Sequence, residues 1–225
     1  MLYVVGDIHG EVERLEGLLA KLPLRPADRM VFLGDYIDRG PDAHGVVSRL
    51  IELSSRYPCT FLLGNHESMF LDFLGWRGRA YFGGHAFLMN GGDRTLESYG
   101  YFDTAEPNPR TFELPADHAL FYKSLRLFHR EGDYLFVHAG LGERQLASDD
   151  VDFALRKAKP ADLIWSRSTP GMPHRLGVTI VYGHTPTPDL EVCWNQPFSI
   201  GIDTGAVFGG SLTALRLPDE AIFQS

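Results

Sequence analysis

The chain has 225 residues, is 44% hydrophobic and carries a formal charge of −8 at neutral pH, with 29 acidic against 21 basic side chains. That length and apolar content suffice for one domain with its own core over residues 1–225, and no compositional break marks a second. The acidic residues are spread along the chain, which disfavours nonspecific attraction to nucleic acid or an anionic membrane, so neither partner is expected.

Strand, loop and helix alternate three times between Leu2 and Trp76. LYVV, MVFL and CTFLL are short apolar runs closed by glycine and read as buried strands. Helices are expected over Glu11 to Lys21, Asp42 to Tyr57 and His66 to Trp76, with Val46, Leu50, Ile51 and Leu53 marking the buried stripe of the second. Such alternation implies parallel strands joined by crossover helices. From Arg77 to Pro115 steady periodicity stops. Glycine pairs at Gly83 and Gly91, Pro107, Pro109 and several aromatics make 77–115 an excursion over the surface that could serve as a lid or substrate rim. Trp76, Arg77, Arg79 and Tyr81 at its start could form that rim, although aromatics beside a helix end usually pack. LRLFHR and YLFVHA flank the turn Glu131 to Asp133 and read as a hairpin. A helix-like stretch near Asp149 to Lys157 precedes strands at VTIVY, FSIGI, SLTALRL and AIFQ, so the second half should be mostly β. The expected fold class is α/β: a four-layer αββα sandwich of two mixed β-sheets flanked by helices. Cys59 and Cys193 lie in or beside apolar segments and are too few for a disulfide framework. Reduced thiols, with no leader pattern after Met1, make a cytoplasmic location the expectation.

Five motifs place metal-ligating residue types directly after the strands. They are GDIHG from Gly6, GDYIDRG from Gly34, GNHE from Gly64, HAG from His138 and GHT from Gly183. Strand ends along one sheet edge are where α/β folds usually place chemistry, so these side chains should gather there. Asp7 and His9 are one residue apart, and in an extended segment both would project to one face and grip one ion. Asp35 has two oxygens and could bridge two cations about 3.5 to 4 Å apart, as two-metal hydrolytic sites require. Asn65 adds a carbonyl oxygen, and His138 and His184 add imidazole nitrogen. This oxygen-rich set is hard enough for Mn²⁺, admits Fe or Zn²⁺, and lacks the thiolate of a structural zinc knot. Two divalent ions with a bridging water would supply hydroxide and polarise phosphoryl oxygens, which suits phosphate ester hydrolysis by in-line attack. His66 adjoins Asn65 yet points elsewhere and could protonate the leaving alkoxide. Asp38 could orient and charge that imidazole, and Arg39 could hold the phosphate with a bidentate fork.

Taken singly, each motif has a plainer reading: a helix-capping Asp, an Asx turn at Asn65, a local ion pair at Asp38 and Arg39. Found together they are not explained that way. His44, His85, His118, His129 and His174 lack ligand spacing and read as surface or helix residues. Glu67 reads as a helix start interacting with the amide dipole, and Asp203 as a turn former or a support behind a ligand.

GDIHG, GDYIDRG and GNHE, followed by the later histidine motifs, resemble the metal-dependent phosphoprotein phosphatase family within the calcineurin-like metallophosphoesterases. The resemblance covers most of the chain and is closest to compact bacterial and bacteriophage members, which share NGGD from Asn90, LIWSR from Leu163, GHTP from Gly183 and IDTGAVFGGSLT from Ile202. It implies Asp7, His9 and Asp35 at one metal and Asp35, Asn65, His138 and His184 at the other. His66 is implied as general acid with Asp38 as its partner, and Arg39 and Arg167 as phosphate ligands. The implied activity is a dinuclear phosphomonoesterase acting on phosphoserine or phosphothreonine of a phosphoprotein or phosphopeptide, by direct attack of the bridging hydroxide. HAG stands where eukaryotic members carry HGG, and their regulatory segments are missing, so no regulatory subunit is implied. The rival is a symmetrical dinucleoside tetraphosphate hydrolase, which shares IDTG and the following Gly-rich turn but typically has GNHD and GHW in place of GNHE and GHTP. An inactive scaffold would have lost a ligand or the acid, and this chain keeps all of them.

Overall fold

The computed structural model describes residues 1–102 and 107–225. The first apolar run forms β1 (Leu2–Val5), and the chain alternates as predicted through α1 (Val12–Lys21), β2 (Arg29–Phe32), α2 (Ala43–Ser54), β3 (Cys59–Phe61) and α3 (Asn65–Phe73). Helix α1 buries Leu15 and Leu18, three residues apart on one face. Asp42 starts α2 by accepting the Gly45 N–H at 2.7 Å, and the buried stripe is Ala43, Val46, Val47, Leu50 and Leu53. Ile51 lies at its half-buried margin.

The excursion holds 3₁₀ turns at Gly84–Ala86, Leu88–Asn90 and Pro109–Thr111, together with α4 (Gly92–Ser98), and α5 (Ala116–Ser124) follows it. The predicted hairpin is β4 (Phe128–Glu131) antiparallel to β5 (Tyr134–Val137). Three short helices come next: α6 (Glu143–Leu146), α7 (Val151–Lys157) and α8 (Pro160–Trp165). The first part of the second half is therefore more helical than its strand-like runs suggest. Pro160 in the first turn and Asp162, which accepts the Lys159 N–H at 2.9 Å, start α8 locally. The chain closes with β6 (Thr179–Tyr182), β7 (Cys193–Asn195), β8 (Ser199–Gly201), β9 (Thr213–Leu217) and β10 (Ala221–Gln224).

These strands make two five-stranded sheets, ordered β10-β9-β1-β2-β3 and β4-β5-β6-β8-β7. In the first, β10, β9 and β1 pair antiparallel and β1, β2 and β3 parallel; in the second, a parallel centre of β5, β6 and β8 is flanked by antiparallel β4 and β7, so both are mixed. The two-residue repeat of a strand sorts its side chains between layers. Leu2 and Val4 of β1 join Val31, Phe136, Val181, Ile200 and Leu215 in the core between the sheets. Tyr3 and Val5 face the other way, into the core shared with α1 and α2. Strands buried on both faces read as continuous apolar runs, which is what made them legible. Cys59 and Cys193 are free thiols, with burial pushing Cys59 up to about 12. Among the described residues no helix is long and apolar enough to cross a membrane.

Candidate metal and active site

The strands of both sheets end toward one place, and the motif residues leave them there. Asp7 and His9 follow β1, Asp35 follows β2, and Asn65 and His66 open α3 after β3. His138 follows β5 and His184 follows β6. All seven side chains belong to residues no more than 8% exposed. The expected extended geometry at Asp7 and His9 is not what brings them in. Strand β1 stops at Val5, and His9 is left-handed with φ of 49°. The Ile8 and His9 N–H groups both donate to Asp35 O, at 3.0 and 2.8 Å, and this ties the turn to the second motif. Asp7 Oδ2 accepts the His184 N–H at 3.0 Å, whereas His9 Nε2 lies 3.5 Å from Asp35 Oδ2.

Asp35 sits at the centre. Its Oδ2 faces His9 and, at 3.9 Å, His66 Nε2, while its Oδ1 lies 3.4 Å from His138 Nε2. The donor atoms fall into two groups compatible with a cation, His9–Asp35–His66 and Asp35–His138–His184, which share Asp35. A carboxylate with an oxygen in each group is the arrangement a bridging ligand needs.

The residues present fit divalent cations for three reasons. His9 and His138 each direct Nδ1 at a backbone carbonyl, Ile37 O at 2.8 Å and Leu33 O at 2.9 Å. Donation there fixes the tautomer and leaves each Nε2 lone pair facing the site. His138 Nε2 then meets Asn65 Oδ1 at 3.0 Å, a pair of acceptors whose repulsion a cation between them relieves. Finally, Asp7 Oδ1 and His184 Nε2 are buried without a hydrogen-bond partner. A buried carboxylate oxygen left unpaired is costly unless a cation or proton meets it.

Electrostatics separates His66 from the other imidazoles. Burial pushes His9 and His184 down to about 3 and lowers His138 as well, which favours the neutral form that ligates metal. Burial also acts on His66, but the Asp35 and Asp38 carboxylates outweigh it and raise its pKa. His66 Nδ1 pairs with Asp38 Oδ2 at 2.6 Å, and Asp38 in turn takes the Thr95 hydroxyl at 2.6 Å. Burial raises Asp38, partly offset by His66. Asp7 is raised well above the carboxylate range by burial and by the charges of Asp203 and Asp35.

A cavity of about 290 Å³ opens over these groups, lined by Asp35, Asn65 and His66 and by both predicted arginines, Arg39 and Arg167. Arg39 Nη1 donates to His9 Nε2 at 2.9 Å, and its guanidinium lies 5.3 Å from the centre of the Phe208 ring. Arg167 donates to Thr185 Oγ1 at 3.3 Å. From the excursion, Asn90 reaches the cavity and Gly91 O accepts the Arg39 N–H at 3.1 Å. The NGGD motif therefore packs beneath Arg39. Asp203 lines the cavity while accepting the Gly205 N–H at 3.0 Å, so it is both turn former and cavity wall, and burial raises it to about 6.

Two residues do more than their sequence positions suggest. Glu67 accepts from the Gly64, Asp35 and Tyr36 N–H groups at 3.0, 2.9 and 2.8 Å, tying the second motif to the third. Its burial and the neighbouring Asp35 raise it to about 8. Thr95 arrives from α4 to hold Asp38, and no motif in the sequence marked it.

The glycines that close the strands are needed for space. A Cβ at Gly183 would lie 2.0 Å from Asp7 Oδ1, and one at Gly64 would lie 2.1 Å from Asp35 Oδ1. Gly183→Ala is expected to displace Asp7 and weaken divalent-ion binding by roughly 10- to 100-fold, the scale for disturbing the support of a ligand. Metal titration followed by calorimetry checks this, and unchanged affinity would show that Asp7 does not ligate.

The chain matches the calcineurin-like phosphoesterase family over residues 1–208. The asymmetrical bis(5'-nucleosyl)-tetraphosphatase PrpE of Oceanobacillus iheyensis is 29% identical to it over 245 residues, covering 96% of this chain and 88% of the relative. The protein of the same name from Anoxybacillus flavithermus is 28% identical over 244 residues, covering 97% and 91%. Among solved structures, one described as a candidate diadenosine tetraphosphatase superposes with a TM-score of 0.68 at 23% identity, covering 100% of this chain and 92% of the other. A protein serine/threonine phosphatase from Saccharomyces cerevisiae gives 0.63 at 17% identity, covering 100% and 79%. These structural likenesses concern the fold alone. With two mixed sheets, strand-end Asp, Asn and His residues converging on one cavity, and a family match over nearly the whole length, the chain belongs to the calcineurin-like phosphoesterases.

Proposed function

We propose that the protein is a dinuclear-metal phosphohydrolase that cleaves dinucleoside tetraphosphates asymmetrically. The observation that carries the substrate class is the cavity mouth. Trp165, 37% exposed, and Phe208, 57% exposed, line the same cavity as Arg39 and Arg167. Exposed aromatic faces beside paired guanidiniums suit a base that stacks and a polyphosphate that needs charge. The tetraphosphatase names of relatives spanning nearly the whole chain support this reading. GNHE and GHTP argue against the symmetrical type. Hydrolysis of phosphoserine or phosphothreonine in proteins is the second reading, supported by a cavity of about 290 Å³, which is ample for one phosphoryl group.

Asp7, His9 and Asp35 would hold one divalent ion, and Asp35, Asn65, His138 and His184 the other, with Mn²⁺ the best fit to the donor set. Ions bound there supply charge neutralisation at the phosphoryl oxygens and a lowered water pKa. Arg39 and Arg167 orient the reacting phosphate from the open side. His66 Nε2 gives its proton to the leaving oxygen, while Asp38 holds Nδ1 and Thr95 holds Asp38. No protein nucleophile is needed, so water attacks phosphorus directly. The two free thiols suit a cytoplasmic setting, and no regulatory subunit is required by this mechanism.

Mn²⁺-loaded protein is expected to show a higher kcat/KM on diadenosine tetraphosphate than on a phosphoserine peptide, releasing ATP and AMP. Chromatography of the products separates this from the symmetrical cut, which yields ADP alone. Preference for the peptide would overturn the substrate class and leave the metal site standing.

A further inference from the structure

The loop after α3 is held in place from below. Ser68 Oγ donates to Ala80 O at 2.7 Å and accepts the Phe82 N–H at 3.1 Å, and the Tyr81 ring lies so close to Gly78 that a Cβ there would sit 2.7 Å from it. Trp76 packs against Tyr81 and carries Lys123 over its face at 5.4 Å. The substrate rim expected at Trp76 to Tyr81 does not border the reaction cavity. Arg77 to Tyr81 instead wall a separate cleft of about 540 Å³ that shares no lining residue with that cavity.

Arg77, Arg79 and Arg156 line this cleft, and no acidic side chain does. Among the described residues none of the three forms an ion pair, whereas Arg29, Arg49, Arg56 and Arg130 do. A pocket with three guanidiniums and no carboxylate is a local reversal in a chain of charge −8. Its floor is apolar: the segment bridging to Leu62 through Arg126 places Leu125 and Leu127 there, with Tyr81 at the wall. The cleft is also near the reaction site. Leu63 lines the cleft and Asn65 the cavity, at most roughly 7 Å apart along the chain. Helix α8 begins at Pro160 in the cleft and ends at Trp165 in the cavity, about 9 Å for one short helix.

We infer that this cleft is a second anion-binding site that takes a nucleoside polyphosphate, with phosphates on Arg77, Arg79 and Arg156 and the base against Tyr81 and the leucine floor. With Arg77 and Arg79 on a pinned loop and Arg156 on α7, only side-chain freedom is lost on binding, and planar bidentate contacts favour phosphate over a simple halide. The occupant is either the far end of a dinucleotide whose reacting phosphate lies in the cavity, or a free nucleotide.

The test is calorimetric titration of ATP into Mn²⁺-loaded wild type and into the triple variant Arg77→Gln, Arg79→Gln, Arg156→Gln. Wild type should bind a second, weaker equivalent of ATP, and the variant should lose roughly 10-fold or more in that affinity. The same equivalent should weaken in high salt, because the arginines are exposed. Turnover of p-nitrophenyl phosphate, which needs the reaction cavity alone, should be unchanged and reports an intact fold, and Arg156→Gln alone serves if the triple variant misfolds. A raised KM for diadenosine tetraphosphate at constant kcat assigns the cleft to the substrate's far end. Lost ATP binding with that KM unchanged assigns it to a free nucleotide. An ATP isotherm that is the same in both proteins, or a single wild-type equivalent, overturns the site. If wild type does not cleave the dinucleotide, the proposed reaction falls and the ATP isotherm still decides the cleft.

Discussion

Asp35→Asn is expected to abolish turnover and to remove both metals together. Its two oxygens face different donor groups, and an amide offers only one oxygen, uncharged, and an NH2 group that cannot ligate a cation. Losing a bridging carboxylate should cost roughly 10⁴-fold or more in kcat/KM, about 5.5 kcal/mol of barrier. Metal analysis after gel filtration, with activity measured in parallel, checks both parts. Thermal melting adds a third reading: wild type should gain stability on Mn²⁺ addition, because ions that bind only the folded state stabilise it, and Asp35→Asn should not. A variant that keeps two ions per chain and near-normal rate would remove the bridging role.

His66→Asn is expected to leave metals bound and to slow turnover by roughly two to four orders of magnitude. The loss should be larger for a phosphoserine peptide than for a dinucleoside tetraphosphate, since an alkoxide needs a proton more than a departing phosphate does. The pH profile carries the sign. Asp35 and Asp38 raise the His66 pKa above the usual imidazole value, so the acid form persists to higher pH than in a free imidazole and is lost as pH rises through that pKa. Activity governed by His66 should therefore fall on the alkaline side. Asp38→Asn removes one of the charges that favour the imidazolium, and the alkaline limb should move to lower pH. An unmoved limb, or a wild-type rate in His66→Asn, would exclude His66 as the acid.

Backbone geometry gives independent support for treating these residues as one site. Seven non-glycine residues among those described have φ between 49° and 69°, and five of them are His9, Asp35, Asp38, Arg39 and His184. Left-handed conformations at such residues cost on the order of 1–3 kcal/mol each and persist where surrounding contacts enforce them. Here the contacts are visible: the Asp35 carbonyl takes two N–H groups from the first motif, Glu67 takes three from the second and third, and Gly91 holds Arg39. Nothing in GDYIDRG as a string states that its two aspartates and its arginine are left-handed. The preferences of Asp and Arg point elsewhere, and only the packed neighbours reverse them.

The sequence by itself determined the layers and which candidate ligand residues follow the strands. Short apolar runs closed by glycine are local signals, and each fixed a strand and the residue that follows it, which is why β1, β2, β3, β5 and β6 and the six metal-site candidates could all be read from the chain. The tertiary structure decided how those ends meet. It put a left-handed turn at His9 where an extended pair was expected. It brought Thr95 across 57 positions to Asp38 and made Glu67 the clamp between two motifs. It turned the loop at Arg77 away from the reaction cavity and into a basic cleft of its own. Each of these depends on contacts between segments far apart in the chain, whose energies no local pattern of residues contains.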